Sequence, residues 1–140
     1  NDSLYKLKKM SKIHSQQFYG ECVSKANSRR LVQIKGKVRF IKSEKALLFV
    51  KDVQIQAKKI KPLLSKDLEA KIKIHYSSRR PDLDPSLVMD ALEGIWYEND
   101  RQFKRLILEK YLDKKNPRVE VFIREIDWDE SGSSEQEHLF

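Results

Sequence analysis

Apolar and polar residues follow two different periods along this chain, and the periods alone predict most of its elements. From Glu69 to Tyr76 the alternation is strict: Ala70, Ile72, Ile74 and Tyr76 on one side, Lys71, Lys73 and His75 on the other. That period of two predicts a half-buried strand. Between Ser43 and Pro62 the apolar positions fall at Ala46, Val50, Val53, Ala57 and Ile60, spaced four, three, four and three apart. This is the stripe of an amphipathic helix, with Ser43 as its N-cap and Pro62 as its stop.

Weaker patterns fill in the rest. Phe18 to Val23 reads as a short first strand. Leu31–Ile34 and Lys37–Ile41 alternate around Lys35-Gly36 and predict short strands or a hairpin. Asp84-Pro85 predicts a helix start, with Leu87, Val88, Ala91 and Leu92 buried and Gly94 as the stop. Strand-like residues from Phe103 to Leu112, a turn at Asp113–Pro117, and a last strand with Val119, Val121 and Ile123 on one face read as an antiparallel pair. Trp96 and Tyr97 read as core residues or as platforms for unpaired bases. Helices and strands mix without a βαβ rhythm, so the fold class expected is α+β: a single small domain with a mixed or antiparallel sheet and two main helices.

Composition adds a partner class. At 140 residues one domain with a real core is expected. Net charge is +8, and it is unevenly spread. No Lys or Arg follows Arg124, and five acids lie beyond residue 126, so residues 1–126 hold 29 basic against 16 acidic side chains, a net of +13. A domain this basic points to nucleic acid or another polyanion, with a well-solvated surface as the plain alternative. Three spans are expected: a basic arm at 1–15, the domain at 16–128, and an acidic disordered tail at 129–140. One cysteine, Cys22, excludes an internal disulfide, and no apolar run approaches membrane-spanning length. A cytoplasmic setting is therefore expected.

The candidate chemistry sits at Arg79-Arg80-Pro81-Asp82-Leu83-Asp84, with a further acidic cluster at Glu98-Asn99-Asp100. In extended backbone, residues i and i+2 face the same way about 7 Å apart, so Asp82 and Asp84 can converge on one cation. Magnesium accepts one or two carboxylates together with a substrate phosphate, and flanking arginines suit that phosphate. The pattern points to a magnesium-dependent site acting on a phosphodiester. The structural alternative is that Asp84 caps the helix and Asp82 belongs to the turn. Arg79, Arg80, Lys73, Lys25, Arg29 and Arg30 are the candidate DNA-binding cations. His75 reads as a solvent-face residue, having no ligand partners at a useful spacing.

Several motifs in order resemble the RusA family of Holliday-junction resolvases: PDLD at 81–84, MDALEG at 89–94, and END-RQ at 98–102. That family's pattern is roughly D-x-D-N, a D-A-L helix, and an acidic pair ahead of a glutamine. Val23-Ser24-Lys25 with Asn27, Ser28 and Arg29 resembles its Asn-containing loop, and Gly36–Phe40 resembles its segment before the long helix. Lys110 and Pro117–Val121 also fit, so the similarity covers about residues 16–126. The resemblance implies a small homodimer that cuts four-way DNA junctions in recombination and repair, in bacteria or their phages. It implies magnesium, or manganese, held by Asp82, Asp84 and Asp100, which would also be the catalytic set. Asp90, the aspartate of the D-A-L helix, is a further candidate and reads equally as a surface helix residue. Three departures stand out. Pro85 replaces the Asn after the second aspartate, the interval to the D-A-L helix is two residues short, and Ser86 and Val88 stand where a lysine is expected. A catalytically silent DNA-binding module of the same fold would accommodate that missing lysine. An RNA-binding accessory protein would account for the charge alone.

Overall fold

The strict alternation of Leu68–Tyr76 makes this strand, β4, the centre of the molecule. In the computed structural model, which describes residues 12–25 and 29–133 and only the backbone of 29–34 and 38–42, two strands flank it. The order along the sheet is β1 (His14–Tyr19), β6 (Arg118–Glu125), β4, β5 (Phe103–Leu112). β6 is antiparallel to both β1 and β4, whereas β5 is parallel to β4. β2 (Arg29–Ile34) and β3 (Lys37–Lys42) form a separate antiparallel hairpin. Helices α1 (Glu44–Gln56) and α2 (Ser86–Leu92) complete an α+β domain.

One face of the sheet carries the core. Ala70, Ile72, Ile74 and Tyr76 join Phe18, Val119, Val121 and Ile123 against Ala46, Phe49 and Val53 of α1 and Leu87, Val88, Ala91 and Leu92 of α2. The other face carries charge pairs, Lys71–Glu109 at 3.7 Å and Arg118–Asp113 at 2.9 Å, with His75 Nε2 3.5 Å from Glu120 and its pKa lowered by burial. His75 also stacks on Tyr111, with ring centroids 4.9 Å apart, so it is half-buried in the sheet face and not a solvent-face residue.

Four expectations change. β5 and β6 are not an antiparallel pair, because β4 lies between them. The turn at Asp113–Pro117 crosses the end of β4, held by the Asp113 N–H to Tyr76 C=O bond of 2.8 Å. Two inter-strand steps span only about 10 Å, within reach of so short a link. The first strand is His14–Tyr19 and not Phe18–Val23, so it begins inside the span assigned to the basic arm, of which residues 1–11 lie outside the described residues. Its only fully buried side chain is Phe18, which is why it leaves so faint a periodic signal. Helix α1 begins as expected, with Ser43 Oγ accepting from the Ala46 N–H at 3.2 Å, but stops at Gln56 instead of near Pro62. The Lys58 N–H donates to Gln16 Oε1 (2.9 Å) instead of continuing the helix, and the Lys58 C=O accepts from Trp96 Nε1 (2.8 Å). Finally, the start of the acidic tail is not free, since Glu130 pairs with Lys104 at 2.9 Å. Residues 134–140 lie outside the described residues.

Trp96 and Tyr97 are both buried, at 2% and 0% exposure, so neither serves as a base platform. No helix among the described residues is long and apolar enough to cross a membrane.

Candidate functional site

The chain leaves β4 at Tyr76 and turns back through Ser77–Pro85 into α2, and this turn is pinned from three sides. From within, the Tyr76 hydroxyl donates to the Asp82 C=O (2.9 Å) and accepts from the Asp84 N–H (3.3 Å). From β5, the Lys110 ammonium donates to the carbonyls of Arg79 and Pro81 and lies 5.7 Å from the centroid of the Tyr76 ring. From the loop after β1, Glu21 accepts from the Ser77 N–H (3.0 Å) and hydroxyl (2.8 Å). Burial pushes the Tyr76 phenol up to about 12, so it stays a hydroxyl at any working pH.

Asp84 is the knot of this arrangement. Its Oδ1 accepts from the Ser86 N–H (2.9 Å) and Ser86 hydroxyl (2.5 Å), which fixes the turn ahead of α2; the N-cap itself is Pro85 and not Asp84, and no side chain caps the helix. Its Oδ2 accepts from the Lys25 N–H (2.9 Å) and the Ser24 hydroxyl (3.4 Å). Burial opposes the charge, but the bonds from Ser86, Lys25 and Ser24 outweigh it and hold the carboxyl below its ordinary value. The stabilisation this implies is present above the unfolded carboxyl range near 4 and is lost as pH falls from there through the lower native value. Acid titration by circular dichroism is therefore expected to show an unfolding limb below about pH 4 that flattens in Asp84→Asn.

The neighbouring cations divide. Arg79 and Arg80 are exposed, and with Ser78, Leu112 and Lys114 they line an open cleft of about 310 Å³; Asp82 follows Arg80 by two residues in the chain and is not part of its lining. Lys25 lies against the site, bonding Asp84 through its backbone and pairing with Asp90 at 3.4 Å. Asp90 is thereby a surface helix residue in an ion pair. Lys73 points to the opposite sheet face, its ammonium 6.0 Å from the Phe122 ring centroid, and does not join the cluster. Arg29 and Arg30 belong to β2 and not to a loop, and Asn27 and Ser28 lie outside the described residues.

Asp100 is elsewhere. It opens a short 3-10 turn, Asp100–Gln102, capped by Asn99, and its N–H donates to Glu93 Oε1 at 2.9 Å. That turn leads into Phe103, opposite Leu68 at the start of the parallel pair, whereas Asp82 and Asp84 follow its far end at Tyr76. The seven residues of α2, about 10 Å of helix, separate the Asp84 turn from Glu93 and hence from Asp100. Among the described residues no three His, Cys, Asp or Glu side chains gather to hold a metal ion. Asp82 is exposed, and its carboxylate makes no hydrogen bond with a described residue. A carboxylate offers about four acceptor positions. All four on Asp84 are in use, the long Ser24 contact being the one a cation displaces at least cost. Within one copy the residues on offer to a cation are two carboxylates: Asp82, which is open, and Asp84, which would first give up one of its four hydrogen bonds. That number suffices when waters and a substrate phosphate complete the shell.

Sequence reasoning missed Glu21, Ser24, Tyr76 and Lys110 as organisers of the turn. Their partners are up to 60 residues away, and a signal of that kind has no local period.

A basic α+β domain that presents aspartates and arginines at a strand end defines a class of candidate phosphodiester-acting proteins. The model of the endodeoxyribonuclease RusA family matches residues 20–124, so the chain belongs to that family. Its members are endodeoxyribonucleases that resolve Holliday junctions. No curated protein matches the chain.

Proposed function

We propose that this chain is a magnesium-dependent endonuclease selective for four-way DNA junctions. It acts as a homodimer in recombination and repair, in the cytoplasm of a bacterium or a phage host. The observation that supports this above all is the pinned Asp82–Asp84 turn beside exposed Arg79 and Arg80, inside the matched stretch.

Asp82 and Asp84 hold the ion, which when bound neutralises charge on the phosphate and lowers the pKa of a water. Arg79 and Arg80, with Ser78 and Lys114 across the cleft, hold the backbone phosphate without reading sequence. Neither residue at the family's lysine position supplies a cation. The Ser86 hydroxyl is tied to Asp84 and Val88 is fully buried. In this reading Arg79 and Arg80 take over the stabilisation of developing charge. Lys110 and Tyr76 are positioning residues, since they bind the turn's backbone and not the substrate.

Asp100 enters through the second copy. In this reading a partner brings it to the metal, since within one protomer Asp82, Asp84 and Asp100 do not gather as a three-carboxylate group. Twofold symmetry would supply two such sites for paired cuts in a fourfold junction.

The test is a labelled four-way junction and a linear duplex of matching sequence, each with magnesium and with EDTA. Symmetric cuts in the junction with magnesium, and none in EDTA or in the duplex, are expected. An equimolar mixture of Asp82→Asn and Asp100→Asn copies is expected to regain cutting that neither shows alone. A mixture as inactive as its components would remove Asp100 from the shared site. The second reading, a silent junction binder, is favoured by the four hydrogen bonds already made by Asp84 and by the absent lysine. Tight junction binding without cutting in magnesium or manganese would decide for it. Neither binding nor cutting would sink both.

A further inference from the structure

The β2–β3 hairpin is no part of the main sheet, and nothing in the candidate site uses it. It forms its own two-stranded sheet, with Arg29 opposite Lys42 and Ile34 opposite Lys37. Each strand has six residues, so the ribbon is about 20 Å long. Lys35 and Gly36 both take positive φ, 51° and 76°, which makes the tip a type I′ turn with the twist of a regular hairpin. A Cβ built on Gly36 meets no atom within 4 Å, and Lys35, Gly36 and Lys37 are exposed, so the tip stands clear of the protein.

Its composition is one-sided. Residues 29–42 hold six cations (Arg29, Arg30, Lys35, Lys37, Arg39 and Lys42) and no Asp or Glu. The strands of the main sheet, by contrast, carry Glu69, Glu109, Glu120 and Glu125 among their cations. An isolated two-stranded ribbon is marginally stable in water. Six like charges on one make it worse, unless a polyanion lies along it.

Both ends of the ribbon are tied to fixed points. It begins four residues after Lys25, whose N–H holds Asp84, and it ends one residue before Ser43, which caps α1. DNA at the aspartate turn therefore lies next to the ribbon's base.

We infer that the β2–β3 ribbon is a second DNA-binding element, entering a groove of a duplex arm beside the junction centre. Lys35 and Lys37 at its tip contact phosphates there. The inference rests on the reading of branched DNA as the ligand. The major groove of B-DNA is about 12 Å wide and admits a two-stranded ribbon. A-form RNA has a deep, narrow major groove that does not, so the shape favours DNA. Phosphate contacts of this kind position the arm and raise affinity without reading bases.

The test uses the double variant Lys35→Asn and Lys37→Thr. Asn-Gly is a preferred I′ pair and Thr suits a strand, so the hairpin keeps its turn while losing both tip charges. Affinity for a fluorescently labelled four-way junction is measured by anisotropy in EDTA across a salt series. The slope of log K against log salt is expected to flatten by about 2 for each ribbon engaged, one unit per lost phosphate contact, and so by about 4 when both ribbons of a homodimer bind one junction. The Lys35→Arg and Lys37→Arg double variant is expected to keep the wild-type slope. An unchanged slope in the neutral variant overturns the proposal, and an equal loss on an A-form RNA duplex overturns the groove assignment. A flattened slope in a protein that cuts nothing upholds the ribbon and discards the nuclease reading, so the two failures are separable.

Discussion

Glu69→Ala is expected to cost the domain about 3–5 kcal/mol, the range seen when one partner of a buried ion pair is removed. Glu69 is fully buried at the start of β4, where the β4–β5 register shifts. Its Oε2 accepts from Arg124 Nη2 at 2.9 Å and its Oε1 from Arg105 Nη1 at 3.4 Å. Arg124 is itself buried, and its Nε has no partner, so Glu69 supplies most of what offsets that charge. Arg105 lies 5.2 Å from the Trp128 ring centroid, tying the chain after β6 into the same cluster. Truncating Glu69 strands the buried Arg124 guanidinium at the edge of the core and removes one contact of Arg105. Urea denaturation monitored by Trp fluorescence is the measurement. Against a total stability of about 5–15 kcal/mol, a loss of that size leaves a substantial unfolded fraction at 37 °C. Glu69→Gln keeps the shape and one acceptor and should fall between the two. A loss under about 1 kcal/mol for Glu69→Ala would mean that the cluster relaxes and that solvent reaches Arg124.

This residue also marks where sequence reading stops. The period-two pattern of 70–76 gives β4 its faces correctly, because burial on one side leaves a local signature. Glu69 breaks that pattern only by being a charge at an apolar depth, and its reason lies 36 and 55 residues away in Arg105 and Arg124. The order β6-β4-β5 was likewise illegible, since a five-residue turn between two strands reads as a hairpin whether it closes on its neighbour or steps over a strand. Helix α1 shows both sides of this. Ser43 announces its start locally, whereas its end is set by Gln16 and Trp96 from other elements. At the candidate site the residue types were legible as a motif: Asp82, Asp84, Arg79 and Arg80 do share the turn after β4. Asp100 was grouped with them by family resemblance, and within one protomer the parallel β4–β5 pairing holds it apart.

Asp82 and Asp84, two residues apart, are expected to fail in different ways. Asp82→Asn should abolish junction cutting while changing stability by no more than about 0.5 kcal/mol, as for other exposed positions. Its side chain is exposed and makes no hydrogen bond with a described residue, the turn being held through its backbone carbonyl instead. Asp84→Ala should abolish cutting and also lower stability by about 2–4 kcal/mol. It removes the side-chain bond to the Ser86 N–H ahead of α2, worth about 1 kcal/mol, and leaves the part-buried Lys25 N–H unsatisfied at about 1–3 kcal/mol more. Paired measurements of urea midpoint and junction cleavage separate the two roles. If Asp84→Ala is inactive yet as stable as the parent, the carboxylate serves the metal and the hydrogen bonds around it are incidental. If Asp82→Asn cuts at the parental rate, the ion is not held at the end of β4, and exposed arginines in that turn would only hold DNA. The expected pattern, one variant stable and silent and the other unstable and silent, is what a site built on a helix start should give. In the proposed reading the carboxylate that folds the turn is also one that would hold the ion.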